Sequence, residues 1–244
     1  MPETDRPPPF TPAHERRLKA VWRSAGWPCH DLLEAELLVA GLLQRVFDAH
    51  GRETLRVTEA GLARIVAASQ RHRGARARHE ALVERVAHAM QRDGRIVWRG
   101  LSLRAPPPED AEERHWPVAQ PDVFSIRHTT REDLVEPVVH EIKVRRADLL
   151  SDLRHEAKRE AYRRLSSQCW YVIEAGIGTS EEIPAEYGVI AAHPAALEVL
   201  RPAPRRALRM SFLTWMALAR ARAEPPVEDE GAGLPPVEAE PGQA

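Results

Sequence analysis

Asp122, Glu141 and Lys143 are the residues whose types and spacing suggest chemistry. They fall in QPDVFSIRHTTREDLVEPVVHEIKV, residues 120–144, where a Pro-Asp pair stands 19 residues before a glutamate and a lysine follows two residues later. The glutamate and lysine interrupt an apolar run, VVHEIKV, and charge there is costly unless it is paired or binds a metal. Alternate residues of a strand share a face. Val139, Glu141 and Lys143 therefore point one way, and Val138, His140, Ile142 and Val144 the other. The apolar set is expected to pack under a helix, with His140 as a core residue, while the polar pair projects into a cleft. If TTREDLV joins the two flanking strands as an antiparallel hairpin, Asp122 lies close to Glu141. Two carboxylates from neighbouring strands make a hard oxygen site suited to Mg²⁺, which takes one or two protein carboxylates and fills its shell with water and phosphate oxygens. Mn²⁺ is a ready substitute. The Lys143 ammonium can orient an attacking water or stabilise charge developing on phosphorus, alongside the metal. A solvated Glu-x-Lys ion pair is the plain alternative, and the Pro-Asp at hairpin distance is what argues against it.

Several elements must position these residues. Residues 76–94 read as an amphipathic helix ending at Gly94, RIVWRGLSL as a strand, and APPPEDAEERHWPVAQ as a proline-rich loop. PDVFSIRH and EPVVHEIKV are two further strands. RRADLLSDLRHEAKREAYRRLSSQ reads as one long helix, CWYVIEA and YGVIAAH as strands, and RRALRMSFLTWMALARARAE as a closing helix. The expected class is α/β (α+β): a mixed sheet covered by helices over residues 76–223. Ahead of it, residues 13–75 read as a small separate module. AHERRLKAVWRSAG is a short helix, HDLLEAELLVAGLLQRVFDAHG a longer one stopped at Gly51, and TLRV a short strand. Thr58 then caps a helix with Leu62, Ile65 and Val66 on one face. The pattern breaks near residues 73–79.

Two resemblances attach to these patterns. LRVTEAGLARI resembles the wing-to-helix junction of bacterial winged-helix regulators, which implies a winged helix-turn-helix module that contacts DNA. The αβββαβ order with the Pro-Asp and Glu-x-Lys motif resembles the PD-(D/E)xK, or restriction-endonuclease-like, nuclease superfamily. HEIKVRRADLLSDLRHEAKREAYRRLSSQCWYVIEAG looks closest to the MmcB-type DNA repair proteins. That resemblance implies metal and catalytic roles for Asp122, Glu141 and Lys143, and a further acid ligand, Glu84, from the first helix. It also matches Lys158 and Tyr162, one helical turn apart, as contacts to phosphate and to a base or sugar. Arg145 and Arg146, just after the motif, read as backbone-positioning phosphate contacts. The implied function is Mg²⁺-dependent hydrolysis of DNA phosphodiesters, in repair or in handling foreign DNA. The alternatives are a catalytically silent DNA-binding adaptor and a winged-helix transcription regulator. Double-strand cutting needs two active sites, so a homodimer is compatible, although no heptad or apolar stripe demands one.

Composition sets the frame. The chain has 244 residues, 43% hydrophobic and 29% charged, as in ordinary soluble proteins. No apolar run reaches membrane-spanning length, and the opening MPETDRPPPFTP is not a secretory signal. Cys29 and Cys169 make neither a disulfide framework nor a zinc ladder, which points to a reducing cytoplasm. The net charge of −1 hides an asymmetry, because residues 224–244 hold six acids and no bases. The rest is therefore basic. Lysine occurs only at Lys19, Lys143 and Lys158, every other basic group being arginine. Residues 1–12 and 224–244 are expected to be disordered, by their proline content and lack of periodicity.

Overall fold

The computed structural model describes residues 10–107 and 116–227. The disorder expected for residues 1–9 and 228–244, and the loop expected through 108–115, lie outside the described residues. The chain divides into two compact units between Ala77 and Arg78.

In the first unit, α1 (Pro12–Arg23) is joined to α2 (Leu32–Val39) by His14, whose Nε2 lies 2.6 Å from Glu36 Oε2. Asp31 caps α2 by accepting the Glu34 N–H at 2.9 Å. The helix expected to reach Gly51 stops here. Gly41 takes a φ of 68°, and the Leu42 N–H returns to the Leu37 carbonyl at 2.9 Å, a helix end that glycine accommodates without strain. The next residues form β1 (Leu43–Phe47), because β2 (Glu53–Val57) offers an antiparallel partner in register from Leu43↔Val57 to Phe47↔Glu53. A helix would have left those backbone groups to pair locally; the hairpin instead seats Leu43 and Leu55 in a core with Leu18, Val21, Leu37 and Ile65. Thr58 Oγ1 accepts the Gly61 N–H at 3.1 Å and so caps α3 (Glu59–Arg92). Of the three apolar residues expected on one face, Ile65 is in the core while Leu62 and Val66 are exposed. No break interrupts α3 near residues 73–79. Gly74 costs a helix about 1 kcal/mol, too little to outweigh the strong helix formers on either side of it.

The second unit contains a six-stranded mixed sheet. Its elements after α3 are β3 (Arg95–Arg99), β4 (Leu103–Arg104), β5 (Val118–Ala119), β6 (Val123–Arg127), β7 (Val138–Lys143), α4 (Arg146–Leu153), α5 (Glu156–Leu165), β8 (Gln168–Glu174), β9 (Gly188–Ala192), β10 (Leu197–Arg201) and α6 (Phe212–Arg220). The sheet order is β10-β9-β8-β7-β6-β3, with β4 and β5 as a separate ladder. β7, β8 and β9 are parallel neighbours, while β3–β6, β6–β7 and β9–β10 are antiparallel. Three details differ from the sequence expectation. The long helix divides at His155, whose φ of −93° and ψ of 73° leave the helical region. β10 adds an edge strand that was not anticipated. The closing helix begins at Phe212, since the residues before it run along the sheet: the Arg206 N–H donates to Ser167 O, and Gln168 Nε2 donates to Ala203 O.

The two faces of the sheet bury separate cores. Leu82, Val83 and Val86 of α3 cover Val97, Val123, Ile142, Val144 and Val172. On the other face, Leu149, Tyr162, Leu165 and Leu218 from α4, α5 and α6 cover Val139, Tyr171 and Ile173. The parity expected of β7 is the parity found. Among the described residues no helix is long and apolar enough to cross a membrane.

Candidate active site

β6 and β7 pair with Val123 opposite His140, and one step further the same register sets Asp122 opposite Glu141. The ladder ends there, and the Asp122 side chain takes its place: Oδ2 accepts the Ile142 N–H at 2.7 Å. The Gly100 N–H donates to the Asp122 carbonyl at 3.0 Å. The proline-flanked start of β6 is thus fixed against the C-terminal end of β7.

Glu141 is 5% exposed and Lys143 9%. Lys143 Nζ donates to Glu141 Oε1 at 2.5 Å, and Lys158 Nζ, from the first turn of α5, donates to the same oxygen at 2.6 Å. Glu141 Oε2 is buried and has no hydrogen-bond partner among the described residues. Burial and the neighbouring Asp122 charge push the Glu141 carboxyl above the ordinary carboxylate range, against the pull of both lysines.

Three residues that sequence reasoning did not single out complete the cluster. Asp152, at the end of α4 and 7% exposed, accepts from Lys158 Nζ at 2.6 Å through Oδ1, with Lys143 Nζ at 3.4 Å. Its Oδ2 accepts the Tyr171 hydroxyl at 2.6 Å. Burial opposes the Asp152 charge, yet Lys143, Lys158 and Tyr171 together hold its carboxyl below the usual range. His79 Nε2 of α3 lies 3.4 Å from Asp122 Oδ1, and the adjacent Asp122 carboxylate raises the imidazole pKa despite burial. The sequence held faint signals for two of these. Asp152 is an acid six residues before a rare lysine, and Tyr171 shares the parity of the core residues Cys169 and Ile173. Nothing local marks His79.

The remaining candidates are placed differently from expectation. Glu84 is exposed, and its charge acts on Arg99; α3 presents His79, not Glu84, to Asp122. Tyr162 is buried, its hydroxyl donating to Gln120 O at 3.0 Å, so it is not available to stack on a base. Lys158 Nζ lies 5.3 Å from the Tyr162 ring centroid, but its hydrogen bonds go to Glu141 and Asp152 rather than outward. Arg146 makes a two-pronged bridge to Glu182, at 2.5 and 2.8 Å, and donates to Ile177 O at 3.0 Å. That ties down the turn after β8, so a phosphate would have to displace a bidentate carboxylate. Arg145 is exposed and only 3.9 Å from Asp148, which leaves its guanidinium the freer of the two.

Among the described residues no three or more His, Cys, Asp and Glu side chains form a metal-holding group. The donors nonetheless fit a hard divalent cation of the Mg²⁺ kind, which needs only one or two protein carboxylates. Glu141 brings an unpartnered oxygen and Asp122 a carboxylate from the adjacent strand.

No family model matches the chain, and no curated protein matches it. One solved structure, the SPO1766 protein of unknown function from Silicibacter pomeroyi, is similar over 54% of this chain and 79% of its own, at 19% identity and a TM-score of 0.35. That overlap is too slight to carry any argument about fold or function.

Proposed function

We propose that the second unit is a divalent-cation-dependent nuclease of the PD-(D/E)xK kind that hydrolyses phosphodiester bonds in DNA. The observation that carries this reading is the pairing of Asp122 and Glu141 from adjacent antiparallel strands, with Glu141 Oε2 buried and unpartnered and Lys143 on the same face. A buried carboxylate oxygen without a donor is costly, and a cation removes that cost. The order of α3, then β3, β6 and β7, then α4 and α5, then β8 parallel to β7, agrees with an αβββαβ core. In the first unit, two helices followed by the β1–β2 hairpin and the Thr58-capped α3 support a winged-helix module that holds DNA.

Asp122 and Glu141 would hold the cation, with water and a phosphate oxygen completing its shell. Bound there, Mg²⁺ supplies Lewis acidity for in-line attack of water on phosphorus. Lys143, fixed on Glu141, presents its remaining N–H bonds to the attacking water and the developing phosphorane charge. His79 keeps Asp122 in place from the α3 side. Arg145 at the start of α4 contacts the DNA backbone without reading sequence.

The test is a cleavage assay on the full chain with plasmid, single-stranded and branched DNA, and RNA for comparison, in Mg²⁺, Mn²⁺ or EDTA. Wild type is expected to cut in either metal and not in EDTA, and Lys143→Ala to lose at least about 100-fold in rate. If wild type and variant bind DNA alike and neither cuts any substrate, the protein is a DNA-binding adaptor instead.

A further inference from the structure

Asp152 takes no part in the chemistry just described, yet it is as buried as Glu141 and both of its oxygens are engaged. Two ammoniums sit against both carboxylates. Lys143 Nζ is 2.5 Å from Glu141 Oε1 and 3.4 Å from Asp152 Oδ1, and Lys158 is the one shared evenly. Lys158 Nζ is 2.6 Å from Glu141 Oε1 and 2.6 Å from Asp152 Oδ1, on a side chain 38% exposed. An ammonium in that place competes with a divalent cation for Glu141. Asp122, Glu141 and Asp152 oppose Lys143 and Lys158, three carboxylates against two ammoniums, with the His79 imidazole beside Asp122. Without the Asp152 charge the two lysines would balance Asp122 and Glu141, and the pocket would hold no surplus negative charge to attract a cation.

We propose that Asp152 is a positioning residue that sets the cation affinity of the site: it draws Lys158 partly off Glu141 and returns to the pocket the negative charge that Lys158 cancels. Tyr171 serves this by holding the far oxygen of Asp152, so that Oδ1 faces the lysines. The inference rests on the reading of Asp122 and Glu141 as cation ligands. It makes Asp152 and Lys158 opposed controls on one equilibrium, and residues that merely fill the fold would not be opposed in that way. Partners behind metal ligands typically change affinity by about 10- to 100-fold.

The experiment measures Mn²⁺ binding to the full chain without DNA, from the loss of the free-Mn²⁺ resonance signal. It compares wild type, Asp152→Asn, Lys158→Gln, the double variant and Glu141→Gln, with a melting curve on each to establish folding. Asp152→Asn is nearly isosteric and is expected to weaken binding about tenfold. Lys158→Gln is expected to tighten it by a similar factor, and the double variant to return close to wild type. Variants that bind like wild type, or that shift affinity in the same direction, overturn the positioning role. Should Asp152→Asn not fold, Lys158→Gln decides, because unchanged or weaker binding there is equally fatal. The cation reading fails separately: wild type that takes up no Mn²⁺, or Glu141→Gln that binds as well as wild type, removes the site itself.

Discussion

His140 turns away from Glu141 onto the face it shares with Ile142, where its ring stacks 6.3 Å from Trp170. Its Nδ1 has no partner among the described residues. Burial, with the Arg95 charge adding to it, pulls the imidazole pKa down to about 3. Above about pH 6.5 folded and unfolded chains are both neutral at this residue, so it takes nothing from stability. As the pH falls below that, the unfolded chain takes up a proton that the folded chain refuses, and stability is lost down to the folded pKa. Between pH 7 and 4.5 wild type should therefore lose on the order of 2 kcal/mol more than His140→Phe, at 1.36 kcal/mol per pH unit. Urea unfolding at the two pH values measures this, and equal losses would mean that His140 is not the group responsible. Tyr162 supports a second prediction. Its hydroxyl holds the carbonyl of Gln120, two residues before Asp122, so Tyr162→Phe should cost about 1 kcal/mol of stability. DNA affinity in EDTA should be unchanged, since the hydroxyl is engaged inside the fold; a marked loss of affinity would restore the contact to a base or sugar inferred from sequence. Asp122, Glu141 and Lys143 were legible because strand parity and hairpin spacing are local rules. Asp152, Tyr171 and His79 were not, because each reaches the cluster from a separate element and only packing brings them together.

At the scale of elements, α3 carries two glycines in opposite circumstances. Gly61 sits where the helix meets the β1–β2 hairpin, and a Cβ built on it would lie 2.2 Å from the Leu42 carbonyl oxygen and 2.7 Å from Val57 Cγ1. Backbone cannot yield cheaply, so Gly61→Ala should destabilise the first unit by about 1–3 kcal/mol, the usual range for overpacking. At Gly74 nothing among the described residues, the helix's own backbone aside, lies within 4 Å of a Cβ, and alanine there should stabilise by up to about 1 kcal/mol through helix propensity alone. Denaturation with hydrogen exchange read over residues 12–72 separates the two, and a same-sign result would contradict the packing described for Gly61. The same contrast shows what sequence pattern reveals and what it hides. Gly41 ends a helix because its φ is positive, whereas Gly74 lies inside one, and composition alone does not tell them apart. LLQRVF carries a helical apolar spacing, but its hydrogen bonds go to β2, a choice settled by a partner six or more residues away. The sheet strands that hold the candidate site were readable from their apolar runs. β10 carries Leu197, Val199 and Leu200, but its mostly exposed residues show no clear alternation of buried and exposed positions to mark it as a strand.

On the scale of the whole chain, charge is the property that no single element carries. Residues 228–244 hold five acids and no base, and without them the formal net charge would change from −1 to +4. Glu224 belongs to the folded part instead: its N–H donates to Val97 O at 2.8 Å, its carboxylate bridges Arg99 at 2.8 Å, and it covers the outer edge of β3, an edge that would otherwise present unpaired strand groups. A chain ending at Val227 keeps those contacts and loses only the five acids. If the protein binds DNA as proposed, the shortened chain should bind several-fold more tightly at low ionic strength, since most non-specific affinity comes from phosphate neutralisation. Electrostatic reach falls from about 30 Å at 0.01 M to about 8 Å at 0.15 M salt, so the advantage should shrink steadily across that range and the salt dependence of the shortened chain should be the steeper. Fluorescence anisotropy with labelled duplex in EDTA, over a salt series for both chains, measures this. Coincident curves would show that the acids do not act on the DNA-binding surface. A constant advantage at every salt concentration would point instead to a tail that blocks that surface by occupying it.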